Sequence, residues 1–193
     1  MFTITNTFEN ELIIKNSRFI TILTPVFDVS DVSGIIDIIK LKYPKATHYC
    51  YACITTSQQK FSDDGEPGST AGAPMLNVLT KNNTINILAV TVRYFGGIKL
   101  GAGGLVRAYS KSVSEALRVA ELLEVEEGYK IEVIVSYDNQ KSLEYLLRNF
   151  KIVDKKYLDL VTYTVLLPKS QLSLLEQFDF KLINEEYIEK SSF

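Results

Sequence analysis

Val92-Arg93-Tyr94-Phe95-Gly96-Gly97-Ile98-Lys99-Leu100-Gly101-Ala102-Gly103-Gly104-Leu105-Val106-Arg107-Ala108-Tyr109 reads as the end of a buried strand, a glycine-built turn and the opening of a helix. Upstream, residues 85–94 are rich in Ile, Val and Thr without clean alternation, as a central strand covered on both faces requires. Downstream, Leu105, Ala108, Tyr109, Ser112, Val113, Ala116 and Leu117 recur at helical spacing and predict a helix over 104–120. Eight of the ten glycines fall between Gly65 and Gly104. Glycine gathers where backbone turns with positive φ or approaches another group closely, so this stretch is where a binding surface is expected.

Working outward, an acidic turn, Asp63-Asp64-Gly65-Glu66-Pro67-Gly68, precedes a short helix over 73–79 with Pro74 at an early position, where its missing N–H costs nothing. Before the turn lies a strand over 48–55, and before that a helix with an Ile35, Ile36, Ile38, Ile39, Leu41 stripe, capped by Ser30 or Asp31 and ended by Tyr43-Pro44. Two short strands, near 3–8 and 18–25, open the chain, with Asn10-Glu11 and Asn16 near turns. The run Glu121, Glu124, Glu126, Glu127, Gly128 marks a boundary. Beyond it the pattern is strand 130–137, helix 139–149, strands 151–157 and 160–168, helix 170–178 and strand 181–188. That βαββαβ order is ferredoxin-like. The fold class is α+β in two domains, 1–127 and 128–193.

The chain has 193 residues, 46% of them hydrophobic, and a formal net charge of −2. Such a chain can build one or two cores, carries no global field for nucleic acid, and holds no apolar run near the roughly 20 residues of a membrane span. The opening residues lack a signal-like pattern, and the expected location is the cytoplasm. Cys50 and Cys53 are spaced C-x-x-C but lie on a strand, which puts them on opposite faces. Together with His48, the sole imidazole, they fall short of a zinc set. No cofactor and no metal are expected. The paired carboxylates do not match a calcium loop; a turn whose Asp side chains bond local N–H groups is the plainer reading.

From Pro67 to Ser114 there is no Asp or Glu, while Lys81, Arg93, Lys99, Arg107 and Lys111 are cationic. The start of the helix after Gly101-Ala102-Gly103-Gly104 offers free N–H groups to an anion, but the segment is neither a P-loop nor a dinucleotide fingerprint. Candidate anion or RNA contacts are Arg93, Lys99, Gly101, Gly103, Gly104, Arg107 and Lys111, with Asp63, Asp64 and Glu66 as the acidic turn. The alternative is that the cations point in different directions. Tyr94-Phe95 reads as core rather than as a stacking platform. No nucleophile–base–orienter set stands out, so no catalytic residue is assigned.

Phe61-Ser62-Asp63-Asp64-Gly65-Glu66-Pro67, Ala71-Gly72-Ala73-Pro74-Met75 and the opening segment resemble the IMPACT family, and the two-domain layout resembles its bacterial YigZ-like branch. The resemblance implies for the first domain the βα fold shared by a small-subunit ribosomal protein, elongation factor G domain four and galactokinase-type kinases. For the second it implies a ferredoxin-like domain similar to elongation factor G domain five. It also implies a translation-associated or regulatory binding protein, non-enzymatic, contacting RNA, the ribosome or a translation partner. Eukaryotic members regulate translation by competing for the activator of a general-control kinase that bacteria lack. Two alternatives stay open: an enzyme acting on a phosphorylated or acyl small molecule, in line with a peptidase label in the family, and a protein-interaction adaptor.

Overall fold

The computed structural model describes residues 1–190, so the last three positions of the expected second domain lie outside the described residues. Two units are formed, Met1–Leu123 and the chain from Glu124 onward. The dividing point falls ahead of Gly128 because strand β7 (Leu123–Val135) runs straight through the glutamate-rich stretch.

In the first unit β1 (Phe2–Thr3) is followed by a five-stranded antiparallel sheet in the order β2-β3-β6-β4-β5, comprising β2 (Phe8–Ile14), β3 (Ser17–Pro25), β4 (His48–Ile54), β5 (Gln59–Ser62) and β6 (Ile87–Tyr94). Helix α1 (Val32–Lys42) covers one face, and α2 (Gly72–Lys81) and α3 (Ala102–Val119) cover the other. Strand parity sorts the side chains. Ile20, Ile22, Cys53, Leu88, Val90 and Val92 pack with Val32 and Ile39 of α1. The alternate residues meet α3, where Phe19 sets its ring edge against Tyr109 at 5.2 Å and Thr21 bonds both Thr91 (2.8 Å) and Ser112 (2.5 Å). Every residue of β6 from Ile87 to Arg93 is buried, the doubly covered strand that its composition predicts.

Several boundaries differ from the sequence reading. Asn10-Glu11 is not a turn but the middle of β2, whose burial alternates along its length. The turn lies at Lys15-Asn16, both with positive φ, the requirement of a two-residue hairpin. Asp31 stands at the N-cap position of α1 but makes no side-chain capping bond, whereas Asp28 caps the 3-10 turn Val29–Asp31 just ahead of it by accepting from the Ser30 amide at 2.8 Å. Ile38 and Leu41 are 67% and 83% exposed, so the apolar stripe of α1 is narrower than its isoleucines suggest.

The second unit is an antiparallel sheet ordered β8-β9-β7-β10, comprising β8 (Lys151–Tyr157), β9 (Val161–Pro168), β7 and β10 (Asp179–Glu189), with α4 (Gln140–Leu147) after β7. This is the ferredoxin-like arrangement. Ile131, Val133, Val135, Val161, Tyr163, Val165 and Leu167 form its core with Leu143, Leu147 and Leu175. The helix expected over 170–178 is instead a 3-10 helix, Lys169–Leu175. It is too short to propagate an α-helix by itself and is held by burial of Leu175.

Candidate functional site

The acidic turn is first a clamp. Asp63 Oδ1 accepts from the amides of Ala71 (2.9 Å) and Gly72 (2.8 Å), and Oδ2 accepts from Ser69 at 2.8 Å. One carboxylate therefore satisfies N–H groups at the start of α2 and complements its dipole. Asp64 ties the turn to β4 by accepting from the Tyr49 amide at 2.6 Å, and its carbonyl lies 2.8 Å from His48 Nδ1. A side chain at Gly72 would stand 2.7 Å from the Ser62 carbonyl oxygen, so the turn closes this tightly because residue 72 is glycine.

Closure sends Glu66 inward. Its Oε1 accepts from Arg93 Nη1 at 2.5 Å and from the Tyr109 hydroxyl at 2.7 Å; its Oε2 faces His48 Nε2 at 3.8 Å. The Glu66 and Arg93 side chains are 3% and 6% exposed. The Arg93 guanidinium lies 5.3 Å from the Phe19 ring centroid and 5.6 Å from that of Phe95. Register explains the assembly: Arg93 is paired with His48 across β4 and β6 and with Phe19 across β3 and β6, so three strands present one row of side chains. Tyr109 reaches the row from α3, and the Cys50 thiol donates to its hydroxyl at 3.3 Å. Burial pushes the Cys50 thiol up to about 12 and Cys53 up to about 11, and raises the Tyr109 phenol as well. These thiols are held as protonated core groups, opposite to the lowered pKa that redox chemistry needs.

Above this row opens a concavity of about 350 Å³, lined by Thr47, His48, Glu66, Pro67, Arg93, Phe95, Lys99, Leu100, Gly101, Ala102 and Leu105. Gly101 has φ 70°, and it brings α3 to the rim without a capping side chain. The contrast with α2 is direct: Asp63 occupies the N–H groups there, whereas at α3 the first-turn amides meet no cap and their positive end is open. Lys99 is exposed at the same rim and forms no ion pair among the described residues.

Of the residues singled out from sequence, Glu66, Arg93, Lys99 and Gly101 share the concavity. Gly103, Arg107 and Lys111 do not line it; they follow one another at four-residue spacing on the exposed face of α3, and Gly104 is half-buried beside them. Arg93 is not an outward cation: the buried carboxylate of Glu66 neutralises it. Asp63 and Asp64 are committed to backbone amides. Phe95 is 47% exposed and lines the concavity, which corrects its reading as core, while Tyr94 is half-buried with its hydroxyl on the Pro44 carbonyl. Sequence alone weighs His48 only as a metal ligand and Leu105 only as helix core, and gives Thr47 no role, yet all three line the concavity. Among the described residues no group of His, Cys, Asp or Glu is arranged to hold a metal ion, and no helix is long and apolar enough to cross a membrane.

Residues 15–117, which carry the central strand, the clamp and the glycine-built helix start, match the Impact N-terminal domain. The chain belongs to the IMPACT family. It is similar to the IMPACT family member YvyE of Bacillus subtilis, 50% identical over 119 residues that span 60% of this chain and 55% of that protein. It is also similar to the IMPACT family member YigZ of Escherichia coli, 36% identical over 88% of this chain and 85% of that one. The match thus spans little more than half of the Bacillus relative but most of the Escherichia one. A solved structure of a hypothetical protein superposes with a TM-score of 0.63 at 32% identity, covering 94% of this chain and 95% of its own.

Proposed function

We propose that the chain is a non-enzymatic, cytoplasmic binding protein associated with translation, and that its first unit holds RNA, free or ribosomal, at the concavity between the acidic turn and α3. Family membership supports the translational setting. The observation that carries the RNA reading is the uncapped start of α3, Lys99 and the exposed Phe95 ring opening on one concavity. A phosphate suits the amides and the lysine, and a base suits the ring. Arg107 and Lys111 extend the cationic track along α3 for a following phosphate.

Fluorescence anisotropy with single-stranded RNA at increasing salt tests this. Three exposed cations, Lys99, Arg107 and Lys111, give a log–log slope of about −2 at roughly 0.7 per phosphate on a single strand, and Lys99→Ala removes about a third of it. A flat salt response, or no retention on RNA or ribosomes, refutes the proposal. An enzymatic reading is favoured by His48 and Glu66 lining the same concavity as the helix start, but Thr47 is the one hydroxyl among the lining residues and it already accepts from the Phe95 amide at 3.0 Å. Turnover of a phosphate or acyl ester, abolished in His48→Ala, would promote it.

A further inference from the structure

At the floor of the concavity two acceptors converge. The Asp64 carbonyl 2.8 Å from His48 Nδ1 requires the proton on that nitrogen, since a carbonyl cannot donate; in the neutral ring Nε2 then carries the lone pair. Glu66 spends Oε1 on Arg93 and Tyr109, leaving Oε2 facing Nε2 at 3.8 Å, beyond hydrogen-bond reach. Two acceptors set at this spacing do not satisfy each other. They suit two adjacent donors on one ligand.

The charge at the rim is of the other kind. Glu66 is offset by Arg93, which leaves Lys99 and the positive end of α3 as the uncompensated charge at the concavity. Arg93 Nε is buried with no partner among the described residues, a further donor unspent at the same place. A ligand that fits must therefore be anionic at one end, carry two neighbouring hydroxyl protons at the other, and offer a flat face to Phe95.

We infer that the concavity recognises the terminal ribose of RNA through its free 2′,3′-diol, the 3′-hydroxyl donating to Glu66 Oε2 and the 2′-hydroxyl to His48 Nε2, with the adjoining phosphate at the start of α3 beside Lys99. This rests on the RNA reading above and narrows it to a strand end. An internal ribose has a single hydroxyl and leaves one acceptor unmet; a deoxyribose terminus likewise has one. The 2′-hydroxyl is the group by which a protein tells RNA from DNA, and a site built to accept a hydroxyl proton rejects a ligand lacking it.

The experiment uses the full chain and four 5′-labelled octamers of one sequence: RNA with a free 3′-terminal diol, the same RNA ending in a 2′-deoxynucleotide, the same RNA with a 3′-phosphate, and DNA. Anisotropy titrations should show the free-diol RNA binding about tenfold more tightly than each of the others, the ratio expected for one hydrogen bond to a charged or buried acceptor. His48→Ala, checked by circular dichroism, should bring the free-diol and deoxy-ended RNAs to within twofold while retaining the salt slope. Equal affinity for all the RNA octamers overturns this inference and leaves the RNA reading standing. Binding to none of the four overturns that reading itself. A diol preference that survives His48→Ala overturns the assignment of the second acceptor.

Discussion

Replacing Glu66 with leucine tests the ion pair that organises the site. In the native unit the carboxylate accepts from Arg93 and Tyr109 while both charged side chains are almost wholly buried. Glu66→Leu leaves the guanidinium inside the unit without a counter-charge, which costs about 3–5 kcal/mol. The Tyr109 hydroxyl loses an acceptor as well, about another 1 kcal/mol. A first-unit destabilisation of about 4–6 kcal/mol follows, large against a typical stability of roughly 5–15 kcal/mol. Arg93→Met alone strands the carboxylate and should act similarly. Joining the two changes swaps a buried ion pair for apolar groups, an exchange that is often neutral, so the double variant should be milder than either single one. Urea titrations followed by far-ultraviolet circular dichroism and tyrosine fluorescence read this directly, since the chain contains no tryptophan. A loss below about 1 kcal/mol in Glu66→Leu, against the 3–5 kcal/mol of a broken buried pair, or losses that simply add in the double variant, would refute the assigned role. Glu11→Gln, at the exposed Arg18 pair, is the control and should change little.

Further outcomes follow from the same geometry. Cys50 and Cys53, buried and raised to about 12 and about 11, should resist alkylation at pH 8 in the folded chain and react on unfolding; native-state labelling at the rate of a free thiol contradicts this. Glu144 is lowered to about 2 by Lys155, then by the Tyr163 hydroxyl and Gln140. Because its folded pKa is depressed, its contribution is complete above the ordinary value of 4.5 and is lost as pH falls toward 2. A carboxyl-carbon NMR titration with a midpoint near 4.5 would disprove the assignment. Gly96→Ala drives a Cβ to within 2.1 Å of the Asn16 carbonyl carbon and should severely destabilise the first unit. Gly34→Ala, in α1 with open space around it, should raise the denaturation midpoint by the equivalent of about 0.5–1 kcal/mol; the reverse ranking of these two variants would count against the packing described.

What was legible in the sequence is what local patterns encode. The central strand shows itself because both faces are apolar, and α3 because its buried residues keep helical spacing behind a glycine turn. β2 hid because Glu9 and Glu11 occupy its exposed face and Asn10 lies between them. β5 hid because its four residues carry no apolar pattern; pairing with β4 makes it a strand. The site was half legible for the same reason. The glycines announce that the chain turns at 96–104, but the neighbours of Arg93 are settled by strand register, and register is a long-range property. The parity of β4 held the missing signal: His48, Cys50 and Ala52 alternate with Tyr49, Tyr51 and Cys53, so His48 shares a face with whatever β6 presents from Ala89, Thr91 and Arg93.

That parity also explains why one acid-free stretch serves two ends. Arg93 belongs to a strand, whose alternation turns it inward to Glu66, whereas Arg107 and Lys111 belong to a helix face that points outward. The inward arginine leaves Glu66 in place as a fixed, neutralised acceptor, and the outward cations supply attraction that no internal acid cancels. Under the proposed function, separating the two lets a concavity hold a carboxylate at its floor and still draw an anion to its rim. In the proposed site, pairing Arg93 with Glu66 leaves attraction for a phosphate to Lys99 and the start of α3 at the rim, so the proposed binding turns on which cation along 93–111 is buried with the acid and which is exposed.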